Sequence, residues 1–138
     1  MTVEITISPG ATLPIYKQII NQVQLAIVNG ILVKGDRLPS VRSLAEELVI
    51  NPNTVSRAYR ELVHDGILEF RHGQGVFVAE KRQIFSRKEE KRRLERAIEA
   101  FLKEVLFLNF THTEIIKALE TRINQVNPRN TGKGGHNG

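Results

Sequence analysis

The 138-residue chain contains no cysteine and no tryptophan. The missing cysteine excludes disulfides and cysteine-based zinc sites, and makes an intracellular location the natural default. Long apolar runs are also missing. No stretch of about 18 apolar residues exists to span a bilayer. The N-terminus MTVEITISPG has neither a basic leader nor an apolar signal core. A soluble, cytoplasmic protein without membrane contact is expected. Catalytic signatures are equally scarce. His64, His72, His112 and His136 are scattered, and neither H-E-x-x-H nor G-x-S-x-G occurs. The short GQG and GKGG runs do not link a strand to a helix as a nucleotide-binding loop does. The sequence points to no enzyme, no metal and no cofactor.

What is present suits one small domain with an appendage, the chain being 41% hydrophobic. Its charge is uneven. Residues 1–80 hold seven Lys and Arg against eight Asp and Glu, a net of −1. Residues 81–138 hold thirteen against seven, a net of +6. A total of +5 fits a nucleic-acid binder. Because the first half has no excess, individual basic positions must mark any contact surface there.

The pattern of apolar residues orders the first half. VEITI, residues 3–7, alternates and reads as a short edge strand that Pro9-Gly10 breaks. Ile15, Ile19, Val23, Ala26 and Ile27 recur at helical spacing and predict a helix from Pro14 to about Asn29, with Gly30 at its end. Ser40 caps a second helix of about eight residues, striped by Val41, Leu44, Ala45 and Leu48. Val49-Ile50 connects it to a third. There Asn51 is the cap, Pro52 takes the first position, and Val55, Ala58, Tyr59, Leu62 and Val63 form the buried face. Gly66 suits the left-handed stop. ILEFR and VFVA around HGQG then read as a hairpin. Three helices followed by a hairpin is the order of a winged helix-turn-helix.

The second half opens with RKEEKRRLER at 87–96. Such a run is ordinarily a solvated helix face, with Glu89 and Glu90 able to pair with Arg93. The alternative is that Lys81, Arg82 and Arg87 attract phosphate. Leu94, Ile98, Phe101, Val105 and Leu108 form a heptad-like seam on a helix expected from Ser86, its cap, to about residue 108. Thr111 with Glu114 forms a second capping box, and Pro128 ends the helix it starts. An isolated helical hairpin is marginal in water. Leu94, Ile98, Phe101, Leu102, Val105, Leu108, Ile115 and Leu119 are therefore expected to pair with a second copy. The fold class is mainly α with a small β-hairpin wing (α+β). It divides into a winged helix-turn-helix DNA-binding domain at 1–80, a helical dimerisation or effector region at 81–127, and a disordered tail at 128–138.

On the third helix, Asn53, Thr54, Ser56, Arg57 and Arg60 lie off the buried face. A recognition helix enters the major groove with its N-terminal residues against base edges. Arginine pairs well with guanine and asparagine with adenine. Asn-Pro-Asn-Thr alone would also be explained as a well-capped helix start. The short helix and tight turn in front of it favour the DNA reading. Tyr59 lies on the apolar face and is expected in the core. Arg42 could simply pair with Glu46 one turn on.

Across residues 11–79, PIYKQIINQVQLAIVNGIL, GDRLPSVRSLAEEL, NPNTVSRAYRELVHDGIL and RHGQGVFV resemble the N-terminal domain of GntR-family bacterial transcription regulators. PIYKQI, LPSVRSLA and NPNTVSRAY together resemble the YtrA-type subfamily. The resemblance implies a homodimeric winged helix-turn-helix regulator, a repressor, on an inverted-repeat operator in double-stranded DNA. It implies DNA contacts at Arg42, at Asn51, Asn53, Thr54, Ser56 and Arg57, and at His72-Gly73 in the wing. Arg71 and Gln74 flank that pair. The wing departs from the family's frequent Arg-Gly-Lys-Gly by reading His72-Gly73-Gln74-Gly75, and Lys34 stands where proline is frequent. The wing is thus poor in charge, and Arg71 is the expected compensation. Larger relatives sense small molecules in a C-terminal domain; about 45 helical residues leave little room for such a pocket, and no effector is evident. The remaining alternative is a winged-helix module for a protein or RNA partner.

Overall fold

The computed structural model describes residues 3–80 and 85–126. The chain forms two compact units, Met1–Arg82 and Gln83–Gly138. The first contains α1 (Ile15–Val28), α2 (Val41–Leu48), α3 (Pro52–His64), β1 (Leu68–Arg71) and β2 (Gly75–Val78). The second contains α4 (Arg87–Val105) and α5 (His112–Val126). The tail expected at 128–138, and Lys81 and Arg82, lie outside the described residues.

The core of the first unit forms where the helical stripes meet. Ile19, Val23 and Ala26 of α1, Leu44 and Ala45 of α2, and Val55, Ala58, Tyr59 and Leu62 of α3 are all buried. Leu68 and Val78 close it from the hairpin. Burying a Leu or Ile side chain is worth about 1.5–3 kcal/mol, so these stripes fix how α3 sits on α1 and α2.

Residues 3–7 do not form the expected strand. Their alternation is real, since Val3 and Ile5 are buried. What they lack is a partner strand. Glutamine amides of α1 pair with their backbone instead. Thr6 N–H donates to Gln22 Oε1 (2.7 Å), and Gln22 Nε2 donates back to the Thr6 carbonyl. Ser8 N–H donates to Gln18 Oε1 at 2.8 Å, and Gln18 Nε2 donates to the Leu13 carbonyl at 2.8 Å. An amide side chain carries both N–H donors and a carbonyl acceptor, the two kinds of group a strand edge offers.

The starts of α2 and α3 follow their caps. Ser40 Oγ accepts from Ser43 N–H at 3.0 Å and Asn51 Oδ1 from Asn53 N–H at 2.8 Å. The turn between α2 and α3 hinges on Val49, at φ 56° and 87% exposed. A β-branched residue in the left-handed region is strained.

In the hairpin, β1 and β2 are antiparallel, with Leu68 opposite Val78 and Arg71 opposite Gly75. Gly73 (φ 75°) and Gly75 (φ 122°) supply the turn angles that other residues resist.

In the second unit, Ser86 Oγ accepts from Glu89 N–H at 3.1 Å. Thr111 and Glu114 form the full reciprocal box, at 2.8 and 3.1 Å. The fourth helix ends at Val105, short of the expected 108, so Leu108 of the seam lies in the turn. Leu108 N–H bonds to the Val105 carbonyl at 3.0 Å, tightening the chain to reverse before the Thr111 cap. No residue of α4 or α5 is buried. Leu94, Ile98, Phe101, Leu108 and Leu119 are exposed, while Leu102, Val105 and Ile115 are half-buried. Phe101, Val105, Leu108, Ile115 and Leu119 line a groove of about 430 Å³.

Candidate nucleic-acid interface

The tip of α3 projects where its cap puts it. Asn51, Asn53, Arg57 and Arg60 are exposed, and Thr54 and Ser56 half-buried. The basic pair is braced by neutral groups. Arg57 Nη2 donates to the Tyr16 hydroxyl at 3.2 Å, and its guanidinium carbon lies 3.8 Å from the Tyr16 ring centroid. Arg60 Nη1 donates to Ser56 Oγ at 3.1 Å. Among the described residues no carboxylate pairs with Arg57 or Arg60. One donor of each is occupied, and an arginine has five. The remaining N–H groups are available to a ligand, on side chains that have already lost part of their rotamer freedom.

Tyr59 sets the neighbouring helix. Its hydroxyl donates to the Pro39 carbonyl at 2.8 Å, tying the entry of α2 to α3. Burial foremost, and then Glu47, pushes this phenol well above its ordinary pKa. Arg42, at the start of α2, reaches Glu46 only at 3.8 Å, with its side chain 89% exposed. An exposed pair at that distance holds little.

In the wing, His72, Gly73 and Gln74 are exposed. Arg71 is engaged on three sides. It bonds Glu69 at 2.8 Å and Glu80 at 2.9 Å, and stacks 4.1 Å from the Phe77 centroid. Hydrogen bonding to Glu69 foremost, and then to Glu80, raises its pKa above the ordinary arginine value. Its charge is answered within the wing. An open cleft of about 760 Å³ runs between α3 and the wing, with Ser56, Arg57 and Arg60 on one wall and Phe70 and Val76 on the other.

The structure groups Asn51, Asn53, Thr54, Ser56, Arg57 and Arg60 at the start of α3, as their spacing on one helix implies, and adds two groups that spacing does not reveal. Nothing in the spacing of PIYKQI points Tyr16 at the tip of α3; it arrives there because α1 packs on α3. Arg37 was not singled out at all; it lies beside Gly75 of the wing.

Three arginines of the basic run of α4 pair with glutamates of the same run. Glu89 bonds Arg92 and Arg93, each at 3.1 Å, and Glu90 lies 3.6 Å from Arg87. Bonding to Arg92 first, and then to Arg93, lowers the Glu89 pKa.

The model described as "Bacterial regulatory proteins, gntR family" matches residues 15–78. The HTH-type transcriptional regulator YhcF of Bacillus subtilis is 41% identical over 108 residues, covering 78% of this chain and 88% of that protein. The chain belongs to the GntR family. Its winged unit is that of a GntR-type DNA-binding transcription regulator. The HTH-type transcriptional repressor YtrA of Bacillus subtilis is 49% identical over 76 residues, 55% of this chain and 58% of that one. The solved structure of YtrA from Sulfolobus acidocaldarius, a GntR-family transcription factor, is similar at a TM-score of 0.53 and 35% identity, covering 69% of this chain and 97% of that one. The YtrA-type resemblance of the motifs is thereby matched in sequence and in fold. Among the described residues, no helix is long and apolar enough to cross a membrane, and no three His, Cys, Asp or Glu residues gather as a metal site.

Proposed function

We propose that this GntR-family regulator is a repressor that binds an inverted-repeat operator as a homodimer, by binding and not by catalysis. The observation that carries the reading is the tip of α3. Asn53, Ser56, Arg57 and Arg60 share an outward surface, and both arginines are braced by hydroxyls instead of neutralised by carboxylates. Asn53 and Arg57 are suited to base edges and Ser56 to either a base or a phosphate. Asn51 and Thr54 secure the helix start beside the DNA backbone, and Arg42 reaches phosphate from α2. His72, Gly73 and Gln74 approach the minor groove. Arg71 takes no part in contact, because two carboxylates already hold it.

A second copy of the chain covers the apolar faces of α4 and α5, through Leu94, Ile98, Phe101, Leu102, Val105, Leu108, Ile115 and Leu119. Faces this apolar with no buried residue call for a partner. Two recognition helices would then meet half-sites about one DNA turn apart or a multiple of it.

The test is selection of duplexes from a random pool, read with sedimentation of the protein. Enrichment of an inverted repeat by a dimer is the expected result. A folded monomer at micromolar concentration, or no preference over random DNA at physiological salt, would reject the proposal.

A further inference from the structure

Residues 36–38 pair with β2 of the wing as a third, short segment. Leu38 N–H donates to the Val76 carbonyl at 2.8 Å, and Val78 N–H donates to the Asp36 carbonyl at 2.8 Å. Arg37 forms an antiparallel bridge with Phe77. This pairing places the Arg37 side chain against Gly75. A Cβ built on Gly75 would lie 3.2 Å from Arg37 Nε, 3.5 Å from Nη2 and 3.7 Å from Cζ. The guanidinium therefore lies close along the wing backbone at Gly75, where a side chain would require Arg37 to give way by a few tenths of an ångström.

Three observations give this position a use. The turn His72-Gly73-Gln74 contains no Lys or Arg. The wing's own arginine, Arg71, is held by Glu69 and Glu80. Arg37 is exposed, and among the described residues no carboxylate pairs with it. An exposed guanidinium with open donors, at the edge of a DNA-binding wing, matches a phosphate oxygen in geometry and charge.

We propose that Arg37, contributed by the segment before α2, is the cation with which the wing holds a backbone phosphate of the operator. The inference rests on the reading of the chain as an operator-binding protein. It supplies from outside the hairpin the charge that His72-Gly73-Gln74-Gly75 lacks.

The measurement is the salt dependence of binding to one duplex recovered by the wild-type protein from a random pool. Wild type, Arg37→Met and Arg37→Lys are titrated from about 50 to 200 mM salt. Methionine keeps an unbranched apolar stem against Gly75 and removes the charge; lysine keeps the charge. Circular dichroism establishes that each variant is folded. The expected result is weaker binding by Arg37→Met, with the slope of log K against log salt shallower by about 0.9 for each wing engaged. Arg37→Lys keeps the wild-type slope. A wild-type slope in folded Arg37→Met overturns the proposal, whether or not affinity falls, because a packing role changes affinity without releasing counterions. A wild-type protein that recovers no preferred duplex overturns the operator reading itself, and this inference with it.

Discussion

Arg57 of α3 and Arg71 of the wing are both arginines stacked on an aromatic ring, 3.8 Å from the Tyr16 centroid and 4.1 Å from the Phe77 centroid. Their remaining partners differ. Arg57 bonds a neutral hydroxyl, whereas Arg71 bonds two carboxylates. The first is oriented and keeps its charge for a ligand. The second is oriented and has its charge answered on the spot. Counting basic residues would rank the two alike. On the proposed reading, their neighbours suit one to reading DNA and the other to bracing a hairpin. The backbone shows a second contrast. The wing turns on Gly73 and Gly75, which accept positive φ freely, while the turn into α3 puts Val49 at φ 56°.

The largest effect is expected at Arg57. Arg57→Ala should weaken specific binding by about 1–3 kcal/mol, as for a base-reading arginine, measured by fluorescence anisotropy on the selected duplex. Next comes the strained turn. Val49→Asn relieves a left-handed β-branched residue and should raise stability by about 1 kcal/mol in denaturant titration. No gain would mean the turn is unstrained, and the contrast with the wing glycines would go. Removing the ring under Arg57 comes third. Tyr16→Leu should cost about 0.5–1 kcal/mol of operator binding, the worth of an exposed cation–π contact, and Tyr16→Phe should recover most of it. In an Arg57→Ala background both Tyr16 variants should be silent; an undiminished effect there would show that Tyr16 acts apart from Arg57. Smallest is Glu46→Gln, which loosens a 3.8 Å exposed contact to Arg42 and should change stability by no more than about 0.5 kcal/mol.

The sequence was most legible where one element explains itself. The stripes of α1, α2 and α3 and the caps at Ser40 and Asn51 are local patterns, and each appears where its residues put it. The YtrA-type motifs led to the family for the same reason, since they are runs of neighbouring residues. What stayed hidden depends on residues far apart in the chain. Tyr16 and Arg57 are 41 positions apart and meet only because α1 packs on α3. Arg71 looked like spare wing charge because its pairing with Glu69, two residues back on the same face of β1, and with Glu80 beyond β2 shows only once the hairpin is formed. Arg37 meets Gly75 through a pairing that no periodicity announces. VEITI carried a true burial pattern, yet a strand also needs a partner strand, and glutamines of α1 took that place. The seam of α4 was visible as far as Val105; the tightening that removes Leu108 from the helix is a property of the turn.

The contrast between the two arginines is tested most directly by one panel. Every base pair of the selected duplex is varied singly, and binding is measured for wild type, Arg57→Ala and Arg71→Met. The expected result is that Arg57→Ala loses discrimination at one base pair of each half-site, while Arg71→Met keeps the wild-type preference at every position and the wild-type salt slope. If Arg57→Ala weakens all duplexes equally, Arg57 holds only phosphate and base reading by the α3 tip falls to Asn53. If Arg71→Met flattens the salt slope, the wing's arginine is a DNA contact after all, and the contrast is wrong.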